Sequence, residues 1–100
     1  MSGRDERGVR ASALPCDLPA LYSTEHDPDP LVRACYVHPV TGWRWFVTEY
    51  DSDRLFFGLV VGFEVELGYF DRVELEESGC WLLTEFVPAH LSVFREHQGR

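Results

Sequence analysis

The stretch that decides the fold runs from Gly42 to Phe70 and reads GWRWFVTEYDSDRLFFGLVVGFEVELGYF. It holds nine of the 14 aromatic residues of the chain within 29 positions. Aromatic and β-branched side chains are those that strands prefer, and the segment Asp51-Ser52-Asp53 is typical of a tight turn. The stretch therefore predicts two antiparallel strands, Trp43 to Tyr50 and Arg54 to Phe63, joined at that turn.

The predicted strand from Arg54 to Phe63 has two unequal faces, and we expect it to lie at the centre of the sheet. Large side chains occupy one face: Leu55, Phe57, Leu59, Val61 and Phe63. The other face carries Gly58 and Gly62, which indicates a close approach by a neighbour, and the expected occupant is the indole of Trp43 or Trp45. Alternation on the preceding strand divides it into two sets: Trp43, Trp45, Val47 and Glu49, and Arg44, Phe46, Thr48 and Tyr50.

Upstream of this stretch, Leu31 to His38 predicts another strand, followed by a turn over Pro39 to Gly42. The prolines between Leu14 and Leu21 disfavour both helix and central strand. We expect this segment to be extended and to pack on the core through Leu18, Leu21 and Tyr22. Residues 25–30 read as a loop, and the polar, aperiodic residues 1–13 read as a disordered arm.

Downstream, Asp71 and Glu74 have the spacing of a helix capping box. The helix that they begin is expected to be short and to end at Ser78-Gly79. A strand from Trp81 to Val87 follows. A short helix from near Ser92 completes the chain, although the residues LSVF at 91–94 fit an extended strand equally well. The sequence therefore predicts an α+β fold in one domain, residues 14–100, with an antiparallel sheet of about four strands and one or two short helices late in the chain.

Several of these motifs resemble domain of unknown function family 2958. The resemblance rests on four stretches spread over roughly residues 14–93: LPALYSTE at 18–25, GWRW with TEYD at 42–51, LFFGLVVGF at 55–63, and ELGYF at 66–70. Members of that family are small bacterial proteins, often carried on plasmids and other mobile elements. The resemblance implies a mobile-element origin and names no chemistry.

Composition narrows the classes of function. The formal net charge is -8, and the chain has no lysine. An acidic surface repels phosphate backbones, so we expect no direct binding of nucleic acid and a basic protein as the natural partner. No apolar run is long enough to span a bilayer. With no secretion signal at the N-terminus, the expected location is the cytoplasm.

Few residue patterns suggest catalysis or metal binding. Cys35-x-x-His38 has the spacing of a metal-binding pair, but residues three apart on a strand face opposite sides, and no second pair accompanies it. We expect Cys16, Cys35 and Cys80 to be free thiols in apolar surroundings. No serine has the context of a nucleophile elbow. The sequence predicts no metal, no cofactor and no catalytic residue.

The acids after the first aromatic strand are the main candidate for a functional surface. Nine of them lie between positions 49 and 77: Glu49, Asp51, Asp53, Glu64, Glu66, Asp71, Glu74, Glu76 and Glu77. If they share one face, that face could imitate a nucleic-acid backbone and occupy a basic groove on a partner. An ordinary solvated surface is the plain alternative.

We therefore expect a non-enzymatic protein-interaction module from a mobile element, acting as an inhibitor of host defence of the anti-CRISPR or anti-restriction kind. One alternative is a small enzyme or ligand-binding domain with a pocket beside the face of Gly58 and Gly62. Another is an accessory protein that self-associates through a sheet edge. The sequence leaves monomer and homodimer open.

Overall fold

The chain folds around a five-stranded antiparallel sheet with the strand order β5-β4-β3-β2-β6. The structure, a computed structural model, describes residues 14, 15 and 17–98. The strands are β1 (Leu31–Val32), β2 (Ala34–Val37), β3 (Arg44–Tyr50), β4 (Leu55–Val61), β5 (Val65–Asp71), β6 (Trp81–Leu82) and β7 (Ala89–His90). The helices are α1 (Arg72–Glu77) and α2 (Leu91–Gln98), and β1 pairs with β7 in a separate small sheet. The predicted α+β class is confirmed.

Both faces of the sheet are covered. On the face that α1 covers, the buried cluster consists of Ala34, Tyr36, Val47, Phe56, Leu75, Cys80 and Leu82. On the face that α2 covers, it consists of Val32, Cys35, Phe46, Leu59 and Leu91. We call these the α1 face and the α2 face. Since a strand buried on both sides needs apolar residues at successive positions, the near-continuous apolar run of β4 fits this arrangement.

A β-bulge in β3 determines which side chains reach the α2 face. Val47 pairs with Gly58 and Glu49 with Phe57, so Thr48 is an extra residue in the ladder. A bulge places two residues of one strand opposite one residue of its partner. Glu49 is therefore carried to the same face as Phe57, and the predicted alternation, which set Glu49 with Val47, is wrong from this point on.

The two glycines of the β4 region are packed against β3 and the turn before it, as their small size suggested. A Cβ at Gly62 would lie 2.6 Å from the ring of Trp43, which confirms an indole as the neighbour there. A Cβ at Gly58 would lie 1.8 Å from the carbonyl oxygen of Phe46, so the neighbour of Gly58 is backbone instead of a ring. Neither glycine opens onto a pocket of that face.

The turns and caps follow the sequence closely. Gly42 adopts a φ of 80° between β2 and β3, and its N–H donates to the carbonyl of His38 at 2.9 Å. Asp71 caps α1 by accepting hydrogen bonds from the N–H groups of Val73 and Glu74. α2 begins against an earlier loop, because the Asp29 carboxylate accepts from both the N–H and the hydroxyl of Ser92.

Three predicted strands are corrected. The strand after Arg54 ends at Val61, and the chain turns back at residues 62–64 to form β5, so β3 and not β4 is the middle strand. Of the predicted strand from Trp81 to Val87, only the first two residues form a strand, β6, because a turn follows at residues 84–85. The predicted strand from Leu31 to His38 is divided at Arg33, and its first part pairs with β7.

The segment before β1 packs on the core only in part. Leu14 and Leu18 lie against the cluster of the α1 face, whereas the side chain of Tyr22 is 60% exposed, contrary to expectation. Neither described helix has the length and apolar run that crossing a lipid bilayer would need. The predicted disordered arm, residues 1–13, lies outside the described residues.

Candidate functional site

A cleft of about 250 Å³ opens on the α2 face, at the side of the sheet where β4 and β5 lie. β4 and β5 contribute Phe57, Leu67 and Tyr69, and β3 contributes Thr48 and Glu49. The opposite wall comes from residues 22–30, and α2 contributes Leu91 and Arg95. The cleft thus joins parts of the chain that are far apart in sequence.

Residues 20–27, which we call the strap, form consecutive turns over the edge of this cleft. Within the strap, the N–H of Ser23 donates to the carbonyl of Ala20 at 3.1 Å, and the N–H of Asp27 donates to the carbonyl of Thr24 at 2.9 Å. Tyr22 has a φ of 70°, in the left-handed region that residues other than glycine rarely occupy. Such a conformation persists only where the surroundings hold it.

Glu49 holds the strap in place. One of its carboxylate oxygens accepts a hydrogen bond from the N–H of Tyr22 at 2.7 Å. The other accepts from the N–H of Thr24 at 2.9 Å and from the hydroxyl of Thr24. Charge-assisted bonds of this kind are stronger than those between neutral groups. The inferred role of Glu49 is therefore structural, as the anchor of the strap on the floor of the cleft.

Three aromatic side chains give the cleft its shape. The ring centroids of Tyr22 and Tyr69 are 6.4 Å apart in an edge arrangement, and those of Phe57 and Tyr69 are 4.9 Å apart. A side-chain hydrogen bond with Tyr22 raises the pKa of Tyr69 above its usual value of 10.0. Tyr69 is 51% exposed. The two tyrosines therefore present ring surface to the solvent at the mouth of the cleft.

Acidic groups outnumber basic ones around the cleft. Glu25 and Asp27 line it from the strap, and Glu49 lies at its floor. Arg95 lines it from α2. Asp29, which lies close by in sequence, is engaged with Ser92 at the start of α2, and those hydrogen bonds lower the pKa of its carboxyl group. The described residues of the lining thus combine three carboxylates with one guanidinium.

The predicted acidic surface loses one member and divides into two parts. Glu49 is 2% exposed, so its inclusion in a surface is wrong, because the bulge turns it inward to the strap. Glu64 and Glu66 lie at the β4–β5 turn, while Asp71 is paired with Leu55 at the other end of β4. That separation is roughly 20 Å at about 3.4 Å per residue. It exceeds the Debye length of about 8 Å at physiological salt, so the two parts act separately.

The larger part, which we call the acidic end, surrounds the β3–β4 turn and α1. Its six acids are Asp51, Asp53, Asp71, Glu74, Glu76 and Glu77, and its two arginines are Arg54 and Arg72. Arg54 binds both oxygens of Asp71 at 2.7 and 3.0 Å, which lowers the pKa of that carboxyl group. Arg72 binds Glu76 and donates twice to the carbonyl of Asp53.

The remaining acids of this end stay free of ion pairs within the described part of the chain. Asp51 organises the turn, because one of its carboxylate oxygens accepts the N–H groups of Asp53, Arg54 and Leu55. These bonds lower the pKa of the Asp51 carboxyl group. Glu74 and Glu77 lie exposed on α1. The acidic end therefore presents a net negative surface on a rigid turn and helix.

Cys35 and His38 lie in different environments. Cys35 is fully buried in the α2 face, and this burial raises the pKa of its thiol to about 12. The Nδ1 atom of His38 is directed at the following turn, where it lies 3.2 and 3.3 Å from the N–H groups of Val40 and Thr41. Among the described residues, no three His, Cys, Asp or Glu side chains gather as a metal ion would need.

The space beside Gly58 and Gly62, where the alternative hypothesis placed a pocket, is filled by neighbouring atoms. The space next to Gly58 holds the backbone of Phe46, and the space next to Gly62 holds the ring of Trp43. The cleft lies on the opposite face of β4, lined by Phe57. Its aromatic residues were absent from the predicted site. Phe57 and Tyr69 meet because they are partners in the β4–β5 ladder, and the position of the strap brings Tyr22 to Tyr69.

Comparison of the chain with family models, curated proteins and solved structures gave no match. The four stretches at 18–25, 42–51, 55–63 and 66–70 that the sequence analysis singled out meet in the fold. Each contributes at least one residue to the cleft: Tyr22, Thr24 and Glu25; Thr48 and Glu49; Phe57; and Leu67 and Tyr69. The cleft and the acidic end are thus two candidate sites within the described part of the chain.

Proposed function

We propose that this protein is a non-enzymatic interaction module of a mobile genetic element, and that it inhibits a host defence complex by covering a basic, nucleic-acid-binding surface. The observation that carries the proposal is the acidic end, where six carboxylates surround two arginines that are already held by neighbouring groups. Resemblance to a family often carried on mobile elements supports the genetic context.

The geometry of the acidic end suits the imitation of a nucleic-acid backbone. Asp51 is fixed by three backbone N–H groups, and Asp71 is fixed by Arg54 and by the cap of α1. Acids held by a rigid turn and a capped helix lose little conformational entropy when a partner binds. Clustered negative charge also accelerates encounter with a basic groove.

Charge reversal at the two ends of β4 tests this proposal. The double variant Glu74→Arg with Glu77→Arg alters the acidic end. The double variant Glu64→Arg with Glu66→Arg makes the same change in net charge at the β4–β5 turn and serves as the matched control. We expect the first variant to bind a purified defence complex more weakly, mainly through a slower association rate, and the control to bind as the wild type does.

Two further measurements connect binding to function. Duplex DNA or guide RNA should compete with the protein for the complex, while the protein itself binds neither at physiological salt. In cells that carry a CRISPR or restriction system, expression of the wild type and of the control should restore plasmid or phage survival. Equal loss of binding in both double variants, or tight binding of DNA by the wild type, would refute the proposal.

A further inference from the structure

The cleft on the α2 face has the composition of a cation-binding site. Its ring surfaces come from Tyr22, Phe57 and Tyr69, with Tyr69 in contact with both other rings. The face of an aromatic ring is negative and attracts a cation within about 6 Å of its centroid. Two of these rings are more than half exposed at the mouth, so a ligand can reach them from solvent.

The charged groups around the cleft favour a cation, as the aromatic rings do. Among the described residues of the lining, Glu25, Asp27 and Glu49 contribute three carboxylates and Arg95 contributes one guanidinium. An anionic ligand would meet three like charges and one opposite charge. A cationic ligand would meet three opposite charges and one like charge. Its attraction to Glu49 would be stronger than to an exposed carboxylate, because Glu49 is buried and little screened by water.

The site is also held ready before any ligand arrives. The N–H of Tyr22 donates to Glu49 at 2.7 Å, so the buried carboxylate fixes the backbone that carries one of the rings. The residue just before the strap is also tied to β3, because the N–H of Tyr50 donates to the carbonyl of Pro19 at 2.9 Å. A preorganised site pays less ordering entropy when it binds.

We propose that this cleft binds one organic cation, an ammonium or guanidinium group on a short stem. Its volume of about 250 Å³ is below the range of about 300–1,000 Å³ that is usual for drug-sized ligands, and it suits a single charged head group. The head group lies against the rings of Tyr69 and Tyr22, with Glu25 and Asp27 at the rim. This site is separate from the acidic end, and its ligand is recognised by different residues.

Calorimetric titration with N-acetyl-arginine amide tests the proposal, with N-acetyl-citrulline amide as a neutral analogue of nearly the same shape. We expect saturable binding of the arginine compound in the micromolar to low millimolar range and at least about tenfold weaker binding of the citrulline compound, the loss expected where a cation–π contact in a partly desolvated site is removed. Equal affinities, or no saturable binding of either an arginine or a lysine amide up to about 10 mM, would overturn the proposal.

Substitutions of exposed residues at the rim test whether the cleft prefers a positive or a negative ligand, and they leave the buried core unchanged. Glu25→Gln should weaken binding of the arginine amide several-fold, and Arg95→Gln should strengthen it. Glu77→Gln makes the same change in net charge as Glu25→Gln but lies on α1, so it should leave the affinity unchanged. Tighter binding by Glu25→Gln together with weaker binding by Arg95→Gln would identify an anion site and refute the proposal.

Removal of a ring and extension of the probe complete the experiment. Tyr69→Ala should weaken binding about tenfold, while its circular dichroism spectrum shows that the fold is kept.

Titration with a peptide that has one central arginine distinguishes two sources of the cationic head group, a side chain of a partner protein and a free small cation. Tighter binding of the peptide than of the amide would identify a side chain of a partner protein, and weaker binding would identify a free small cation. Both results support a cation site, and failure of all cationic probes refutes it whatever becomes of the acidic end.

Discussion

Gly58 and Gly68 lie directly opposite each other in the β4–β5 ladder, yet only Gly58 is packed against another part of the chain. A methyl group built at Gly58 would lie 1.8 Å from the carbonyl oxygen of Phe46, whereas one built at Gly68 would have no atom within 4 Å. The difference arises from β3, which pairs with β4 but not with β5 and is bulged next to its pairing with Gly58.

This difference predicts opposite outcomes for one substitution at two paired positions. Gly58→Ala should lower the free energy of unfolding by about 3 kcal/mol or more, because backbone cannot move aside as a flexible side chain can. Gly68→Ala should change it by no more than about 0.5 kcal/mol, in the range of ordinary surface changes. Urea denaturation of both variants measures this, and similar values for the two would contradict the bulge.

The register of β4 predicts unequal roles for its two adjacent phenylalanines. Phe56 is fully buried and contacts the rings of Tyr36, Tyr50 and Phe70, so Phe56→Ala should cost about 3–5 kcal/mol. Phe57 is half-buried at the cleft, and Phe57→Ala should cost clearly less. The same urea measurement applies, and a larger loss for Phe57 would mean that the two faces of β4 are exchanged.

Short-range signals explain which elements could be predicted. The φ of 80° at Gly42, the turn organised by Asp51 and the cap by Asp71 all depend on residues within four positions of one another. β5 was missed because the reversal at residues 62–64 begins within the apolar run Leu55 to Phe63, which reads as one continuous strand. In β5, Val65, Leu67 and Tyr69 alternate with polar or small residues. This alternation can be recognised as a strand only after the preceding turn has been located.

The cleft could not be predicted for a different reason. It depends on the extra residue in β3, which moves Glu49 to the face of Phe57, and no local pattern announces that bulge. It also depends on a hydrogen bond from Tyr22 to Glu49, 27 positions apart. The concentration of acidic residues between positions 49 and 77 suggested one surface. Burial of Glu49 removes it from that surface, and the length of β4 separates the remaining acids into two groups.

The anchoring of the strap predicts a structural cost for loss of Glu49. Glu49→Ala leaves the N–H groups of Tyr22 and Thr24 without their acceptor and should lower the free energy of unfolding by about 1.5–3 kcal/mol, as expected for bonds to a charged group. Hydrogen exchange should become faster at these two amides. Glu64→Ala, which removes an exposed carboxylate, is the control, and equal stability of both variants would show that the strap is held by other contacts.

Burial of the thiols predicts their reactivity. The pKa of Cys35 is raised to about 12 by burial, and burial also raises that of Cys80. Because the thiolate is the reactive form, neither should be alkylated by iodoacetamide at pH 8 in the folded protein, and both should be alkylated in denaturant. Peptide mapping by mass spectrometry assigns the sites. Rapid labelling of Cys35 under native conditions would show that the α2 face opens.

The lowered pKa values of three aspartates predict how the stability of the fold depends on pH. Hydrogen bonds from Ser92 lower the pKa of Asp29, backbone N–H groups lower that of Asp51, and Arg54 lowers that of Asp71, each from an ordinary value of 3.8. A carboxyl group whose pKa is lower in the folded state stabilises the fold above its unfolded pKa, and the contribution is lost as the pH falls through the folded pKa. The free energy of unfolding should therefore decrease below about pH 4.

The variant Asp51→Asn tests the contribution of one of these groups. It keeps an oxygen acceptor for the turn but removes one titrating group, so its free energy of unfolding should decrease less between about pH 4 and pH 3 than that of the wild type. Parallel curves for the two proteins would mean that Asp51 has the same pKa in the folded and unfolded states.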